Sequence, residues 1–131
     1  TNGYDGIYCM NAAGEQLWHQ KEIGHHHSMN AGIGETMWVC AYDLSEASHP
    51  SNGVTYEMGG VKYHFLDNYI AQLDTETGAI LFKRSMAELL LDHGLEHLII
   101  KSVVVDDPIH LNDVEPVLES SEYMLAGTPA L

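Results

Sequence analysis

Basic residues are scarce in this sequence. Lys21, Lys62, Lys83, Arg84 and Lys101 stand against 19 acids, and the 131-residue chain carries a formal net charge of -14 at pH 7. A surface of that sign repels nucleic acid and anionic membranes, so no nucleic acid is expected as a partner. It also offers no long-range field to capture an anionic substrate. Any anion site has to be local, made from histidines and backbone N–H groups. Long apolar runs are missing too. No stretch approaches the roughly 20 residues of a membrane-spanning helix, so no membrane insertion is expected. No secretory signal is visible, and a chain that starts at Thr1 leaves processing or truncation open. Cysteine is limited to Cys9 and Cys40. They could pair, but the reading taken is two buried thiols acting as small hydrophobes.

What remains is a globular composition, 45% hydrophobic, of a size for one domain or a piece of a larger one. Most of it reads as short strands. "GIYCMNAAGEQLWHQ" places two apolar runs around Asn11-Ala12-Ala13-Gly14, and "NYIAQLDTETGAILFKR" does the same around Asp74-Thr75-Glu76-Thr77-Gly78. Both are hairpin signals. Each hairpin carries an aromatic residue on its second strand, Trp18 or Phe82. Each is followed by a His segment, His26-His27 with Asn30 or His110 with Asn112, and then by an apolar run, 36–43 or 122–131.

The chain therefore reads as two copies of one unit, about 5–44 and 68–131, with unequal insertions. The first insertion, 45–67, alternates about Gly59-Gly60 and predicts an extra hairpin. The second, 85–100, predicts a helix opened by a Ser85-Met86-Ala87-Glu88 capping box and weakened, or split in two, at Gly94. A repeated four-strand unit of this length is the pattern of a β-propeller blade. The expected fold class is all-β: an excerpt of about two to three blades, needing the rest of its own propeller because two blades leave open edges and half a core. A small self-contained β-sandwich is the alternative.

In a propeller the two His segments share an address. Residues that begin the innermost strands of successive blades face one channel mouth, so His26 or His27 and His110 are expected to meet across a pocket. Strand alternation implies that His26 and His27 do not both point into it, whereas His25 and His27 share a face. A solvated loop is the plain alternative for three consecutive histidines. In "DDPIHLND", Asp107 is suited to accept from an imidazole N–H and fix its tautomer, and Asn112 to brace the loop or donate to an anion. The same stretch also reads as a turn followed by a strand. "HGLEH", 93–97, matches a zinc-peptidase pattern, but Gly94 interrupts the helix it requires and no third ligand is identifiable, so no metal ligands are assigned.

In this order, "HHSMN" entering a strand, "YIAQLDTETGAILFKRSMAELL" and "DPIHLNDV" resemble the bacterial arylsulfotransferase family, the aryl sulfate:phenol sulfotransferases. Members carry a His-His segment entering a strand, a strand–D-x-x-T-G–strand hairpin running into a short helix, and an Asp-Trp-x-His-x-Asn element. Here the last reads Asp107-Pro108-Ile109-His110-Leu111-Asn112, with Pro in place of Trp. The resemblance spans about residues 5 to 131. It implies a six-bladed propeller with a histidine-rich site at one channel mouth, and export to the periplasm or cell exterior. The implied reaction moves a sulfuryl group from a phenolic sulfate ester to a phenol, with no nucleotide sulfate donor and no cofactor. A histidine becomes transiently sulfated while two further histidines and an arginine hold the sulfuryl oxygens. By motif match His26 or His27 and His110 are supporting histidines, with Asn30, Asp107 and Asn112 orienting. The arginine and the nucleophile are expected beyond Leu131.

Such a site fits the chemistry. Sulfuryl transfer spreads negative charge over three oxygens and builds it on the departing phenolate. Each well-placed N–H donor is worth roughly 3–4 kcal/mol in the transition state. A neutral imidazole can attack sulfur and then leave, and an imidazolium can protonate the phenolate. Two other classes stay open on the sequence: a non-catalytic propeller module that binds a ligand or protein, and a metal-dependent enzyme with a multi-histidine site. Homo-oligomerisation is also open.

Overall fold

The computed structural model describes residues 5–46 and 48–117. Eight strands come first: β1 (Ile7–Met10), β2 (Gln16–Gln20), β3 (Ile23–Ala31), β4 (Thr36–Asp43), β5 (Val54–Met58), β6 (Val61–Phe65), β7 (Tyr69–Asp74) and β8 (Ile80–Ser85). Two short helices follow, α1 (Met86–Asp92) and α2 (Glu96–Ile100). The strands form a β1-β2 hairpin, a four-stranded antiparallel sheet in the order β3-β4-β7-β8, and a separate β5-β6 hairpin. The fold class is all-β, consistent with a propeller excerpt.

The four-stranded sheet draws on residues 23–43 and 69–85: β3 pairs with β4 and β7 with β8 within the two sequence units, and β4 pairs with β7 across them. The β5-β6 hairpin does not disturb it. Strands β4 and β7 pair directly from Thr36↔Asp74 to Ala41↔Tyr69, and the inserted hairpin projects from their far end. Gly59 and Gly60 both take positive φ, 59° and 76°, which is the two-residue turn that lets Met58 pair with Val61.

Alternation divides the central sheet into two faces. Val39 and Ala41 on β4, with Tyr69, Ala71 and Leu73 on β7, face the β1-β2 hairpin and close a core with Ile7 and Ile23. Each large apolar side chain buried there contributes roughly 1.5–3 kcal/mol. Trp18 on β2 seals this core and donates its indole N–H to the carbonyl of Thr75 at 3.0 Å, while Gln20 reaches the carbonyl of Gly78 at 2.9 Å. Gly78, at φ 73°, is irreplaceable for space as well as conformation. A Cβ there would stand 2.5 Å from the Trp18 ring. The Asp74 carboxylate shapes this turn by accepting the backbone N–H groups of Glu76 and Thr77 and the Thr77 hydroxyl.

A second core forms where β5-β6 meets the helices, around Met58, Phe65, Ala87 and Ile99. Ser85 caps α1 by accepting the Glu88 N–H at 3.0 Å. Gly94, at φ 67°, turns the chain between α1 and α2, so the helical insertion is two helices. Both cysteines are free, with Cys40 buried and Cys9 half-buried. From Lys101 to Val117 the described chain forms no regular strand, so His110 stands in an irregular loop rather than at the start of one. The strand expected at 122–131 lies outside the described residues.

Candidate functional site

The histidine run sits where β3 leaves regular pairing. His25 pairs with Ala41 and Met29 with Val39, so His26, His27 and Ser28 together oppose the single residue Cys40. The two surplus residues bulge, and His27 absorbs the distortion with φ 58°, in the left-handed region that L-residues avoid. Strand alternation therefore fails here. The expectation was that His26 and His27 do not both point into one pocket; the rings of the two, His26 half-buried and His27 exposed, touch at 5.2 Å between centroids with planes 72° apart. The cause is the bulge, which resets side-chain direction between two neighbours.

His26 lies flat against Tyr42, with centroids 4.1 Å apart and planes at 12°. Both its ring nitrogens are buried without a hydrogen-bond partner among the described residues. Burial, reinforced by the neighbouring His27, pushes its pKa down to about 4, so it is a neutral imidazole at neutral pH. His27 is exposed, and its ring meets that of His110 at 5.2 Å, edge to face. The histidines of the two segments thus form one continuous group, from Tyr42 through His26 and His27 to His110.

The loop that delivers His110 is tied down by polar side chains. His110 has φ 41°, and with His27 it is one of two non-glycine residues of positive φ among the described residues. Asp107 receives the His110 backbone N–H at 3.2 Å on one oxygen and its Nδ1 at 2.5 Å on the other. A carboxylate accepts but does not donate, so Nδ1 carries the proton and a neutral His110 presents a bare Nε2. Asn112 donates to the His110 carbonyl at 3.1 Å, bracing its own loop. Asn30 donates to the Asp113 carboxylate and to the Val114 carbonyl, both at 2.9 Å, and the Ser28 hydroxyl accepts the Val114 N–H. Asn30 thus binds the His110 loop to the His27 strand.

One residue of this arrangement went unnoticed in the sequence. Asn68 is completely buried, donates to Asp107 at 2.9 Å and accepts the Leu111 N–H at 3.0 Å. The available signal was the polar pair Asp67-Asn68 immediately before the apolar strand β7. Its neighbour Asp67 turns the other way, accepting from the hydroxyls of Tyr56 and Ser85 and the Ala87 N–H at the start of α1. Burial raises the Asp67 pKa against those hydrogen bonds.

The "HGLEH" segment does not make a metal site. His93 follows the end of α1 and His97 lies on α2, so the single helix face that the pattern requires is broken at Gly94. Among the described residues no group of three or more His, Cys, Asp or Glu side chains is placed to hold a metal ion. A cleft of about 650 Å³ opens on the sheet face away from β1-β2, floored by Trp38, Ile70, Phe82 and Arg84 and bordered by Leu89 and Pro116. Among the described residues no helix is long and apolar enough to cross a membrane.

The described residues thus form an antiparallel all-β domain that gathers histidines from distant segments, with a carboxylate fixing one ring. A family model described as Arylsulfotransferase (ASST) matches residues 2–127, and the chain belongs to that family. No curated protein and no solved structure matches the chain. Membership gives it a sulfotransferase-like function and phenolic substrates in general.

Proposed function

We propose that this domain takes part in sulfuryl transfer from a phenolic sulfate ester to a phenolic acceptor through a sulfo-histidine intermediate, without a nucleotide sulfate donor. The contact between His27 and His110 carries this reading. Two rings from distant segments stand edge to face on strained backbone, and strain of this kind costs about 1–3 kcal/mol per residue and concentrates at functional sites. His27 and His110 are the supporting histidines that hold the sulfuryl oxygens, His110 through the Nε2–H of its protonated ring while Nδ1–H stays on Asp107. His26 backs His27 as a neutral, stacked ring. Asp107 orients His110, Asn30 binds the two segments together, and Asn112 braces the loop.

The nucleophilic histidine and an arginine complete the site from outside residues 1–131, in a propeller of which β3-β4-β7-β8 is one blade. In the first step the nucleophile's ring nitrogen bonds to sulfur and the phenolate leaves. In the second the acceptor phenol's oxygen bonds to sulfur as the S–N bond breaks and the histidine is released, and the acceptor's proton passes through water to the phenolate that left in the first step. Export to the periplasm or cell exterior belongs to the same reading, as family members of this kind work there.

Transfer from p-nitrophenyl sulfate to phenol by the intact protein tests the proposal. Activity that falls at least about 100-fold in His110→Ala, with folding retained, supports it, since one transition-state donor is worth 10²–10³ in rate. An inactive parent protein, or a variant altered in stability alone, overturns it.

A further inference from the structure

We infer that Asn68 is a positioning residue that sets the ring tautomer of His110 by fixing Asp107, an assignment whose catalytic consequence rests on the proposed sulfuryl transfer. The orientation of the Asn68 amide follows from its partners. The Leu111 N–H can only donate, so it meets the Asn68 carbonyl oxygen at 3.0 Å. The amino group is then left to face Asp107, where it donates at 2.9 Å. This engages Oδ1, the oxygen that also accepts the His110 backbone N–H, and leaves Oδ2 to His110 Nδ1. Asn68 therefore grips the loop at two points that bracket His110, Asp107 before it and Leu111 after it.

Burial makes the grip selective. Asn68 has no exposed surface, so an unmet donor or acceptor there is not compensated by solvent. Its own carbonyl accepts the Met86 N–H at 2.8 Å, which anchors the residue to the start of α1. The residue type is also dictated. Aspartate would fit the space and still accept from Leu111, but would set a second carboxylate against Asp107. Leucine would fill the volume, leave the Leu111 N–H unmet and remove one of the three hydrogen bonds on Asp107. Only a side chain with one acceptor and one donor, fixed at this spacing, satisfies both partners.

The consequence concerns which nitrogen His110 offers. With Asp107 held, the neutral ring keeps its proton on Nδ1 and presents Nε2 as an acceptor that becomes a donor on protonation. With Asp107 released, the ring can turn or switch tautomer, and its second nitrogen no longer has a fixed role. An outer partner of this kind typically changes activity 10–100-fold without touching the substrate.

Nitrogen-resolved NMR of the ¹⁵N-histidine-labelled intact protein tests the assignment, with Asn68→Asp and Asn68→Ala as variants. In the unaltered protein His110 is expected as the Nδ1–H tautomer, and in both variants that population falls. Transfer from p-nitrophenyl sulfate should lose about 10–100-fold in kcat, with KM changed by less than about threefold. Folded variants that retain the tautomer overturn the inference. Should neither variant fold, the unaltered protein decides. An Nε2–H ring there overturns the inference, while an Nδ1–H ring whose Asn68 amide protons shift on Asp107→Asn supports it. The tautomer is read without any turnover, so an inactive parent protein with the expected tautomer would count against sulfuryl transfer and not against Asn68.

Discussion

His27 and His110 lie edge to face with ring centroids 5.2 Å apart, and each stands on left-handed backbone. Neither residue is glycine, and neither conformation is one an L-residue adopts without cost. The bulge in β3 and the clamp on the 107–112 loop supply the support that holds them there.

That support implies a measurable trade-off at His27. Its φ of 58° costs an L-residue roughly 1–2 kcal/mol relative to the right-handed region. His27→Gly removes that cost and His27→Ala does not. The glycine variant should therefore unfold at a higher denaturant concentration than the alanine variant, by about 1 kcal/mol, while both lose the imidazole. Paired urea titrations check the difference.

His26 should make stability depend on pH. Its folded pKa is pushed down to about 4 from 6.5. As pH falls through 6.5, the unfolded chain takes up a proton that the folded chain refuses, so stability present above 6.5 is lost down to about 4 and the slope then ends. His26→Phe preserves the stack on Tyr42 and removes both unpartnered nitrogens. It should match the parent or exceed it at neutral pH, and its advantage should widen from 6.5 to about 4. Thermal unfolding at stepped pH gives the comparison.

Gly78 links the β1-β2 hairpin to the main sheet. In Gly78→Ala the new methyl would stand 2.5 Å from the Trp18 ring, on backbone at φ 73°. The expected cost is about 2–4 kcal/mol, from overpacking and backbone strain together. Tryptophan fluorescence should report it, because Trp18 loses its seat against the 74–78 turn.

Asn30 joins the two histidine segments through Asp113 and Val114. Asn30→Ala should cost about 1–2 kcal/mol locally. Amide hydrogen exchange at Val114 should speed up while the β4-β7 amides, held by the sheet, keep their protection.

The hairpins were legible because their turns carry their own chemistry. Asn11 and Gly14, Gly59 and Gly60, and Asp74 and Gly78 fix chain reversal within a few residues. The meeting of His27 and His110 could be anticipated from the order of motifs. The partnership of His26 with His27 could not, because it depends on a bulge. Two surplus residues opposite Cys40 have no local signature, and alternation gives the wrong answer wherever the ladder slips. Asn68 was hidden for a different reason. Its partners lie 39 and 43 residues further along the chain, and nothing at position 68 itself announces them. The split at Gly94 was visible, and it undid the zinc-peptidase pattern in the structure as it weakened it in the sequence.

The most direct test is a double-mutant cycle on sulfuryl transfer from p-nitrophenyl sulfate to phenol, using the intact protein with His27→Ala, His110→Ala and both together. Groups that act on one sulfuryl unit are strongly non-additive, so each single loss should cost about 100-fold or more and the double loss little beyond either. Independent, fully additive effects, or full activity in folded single variants, would contradict a shared site.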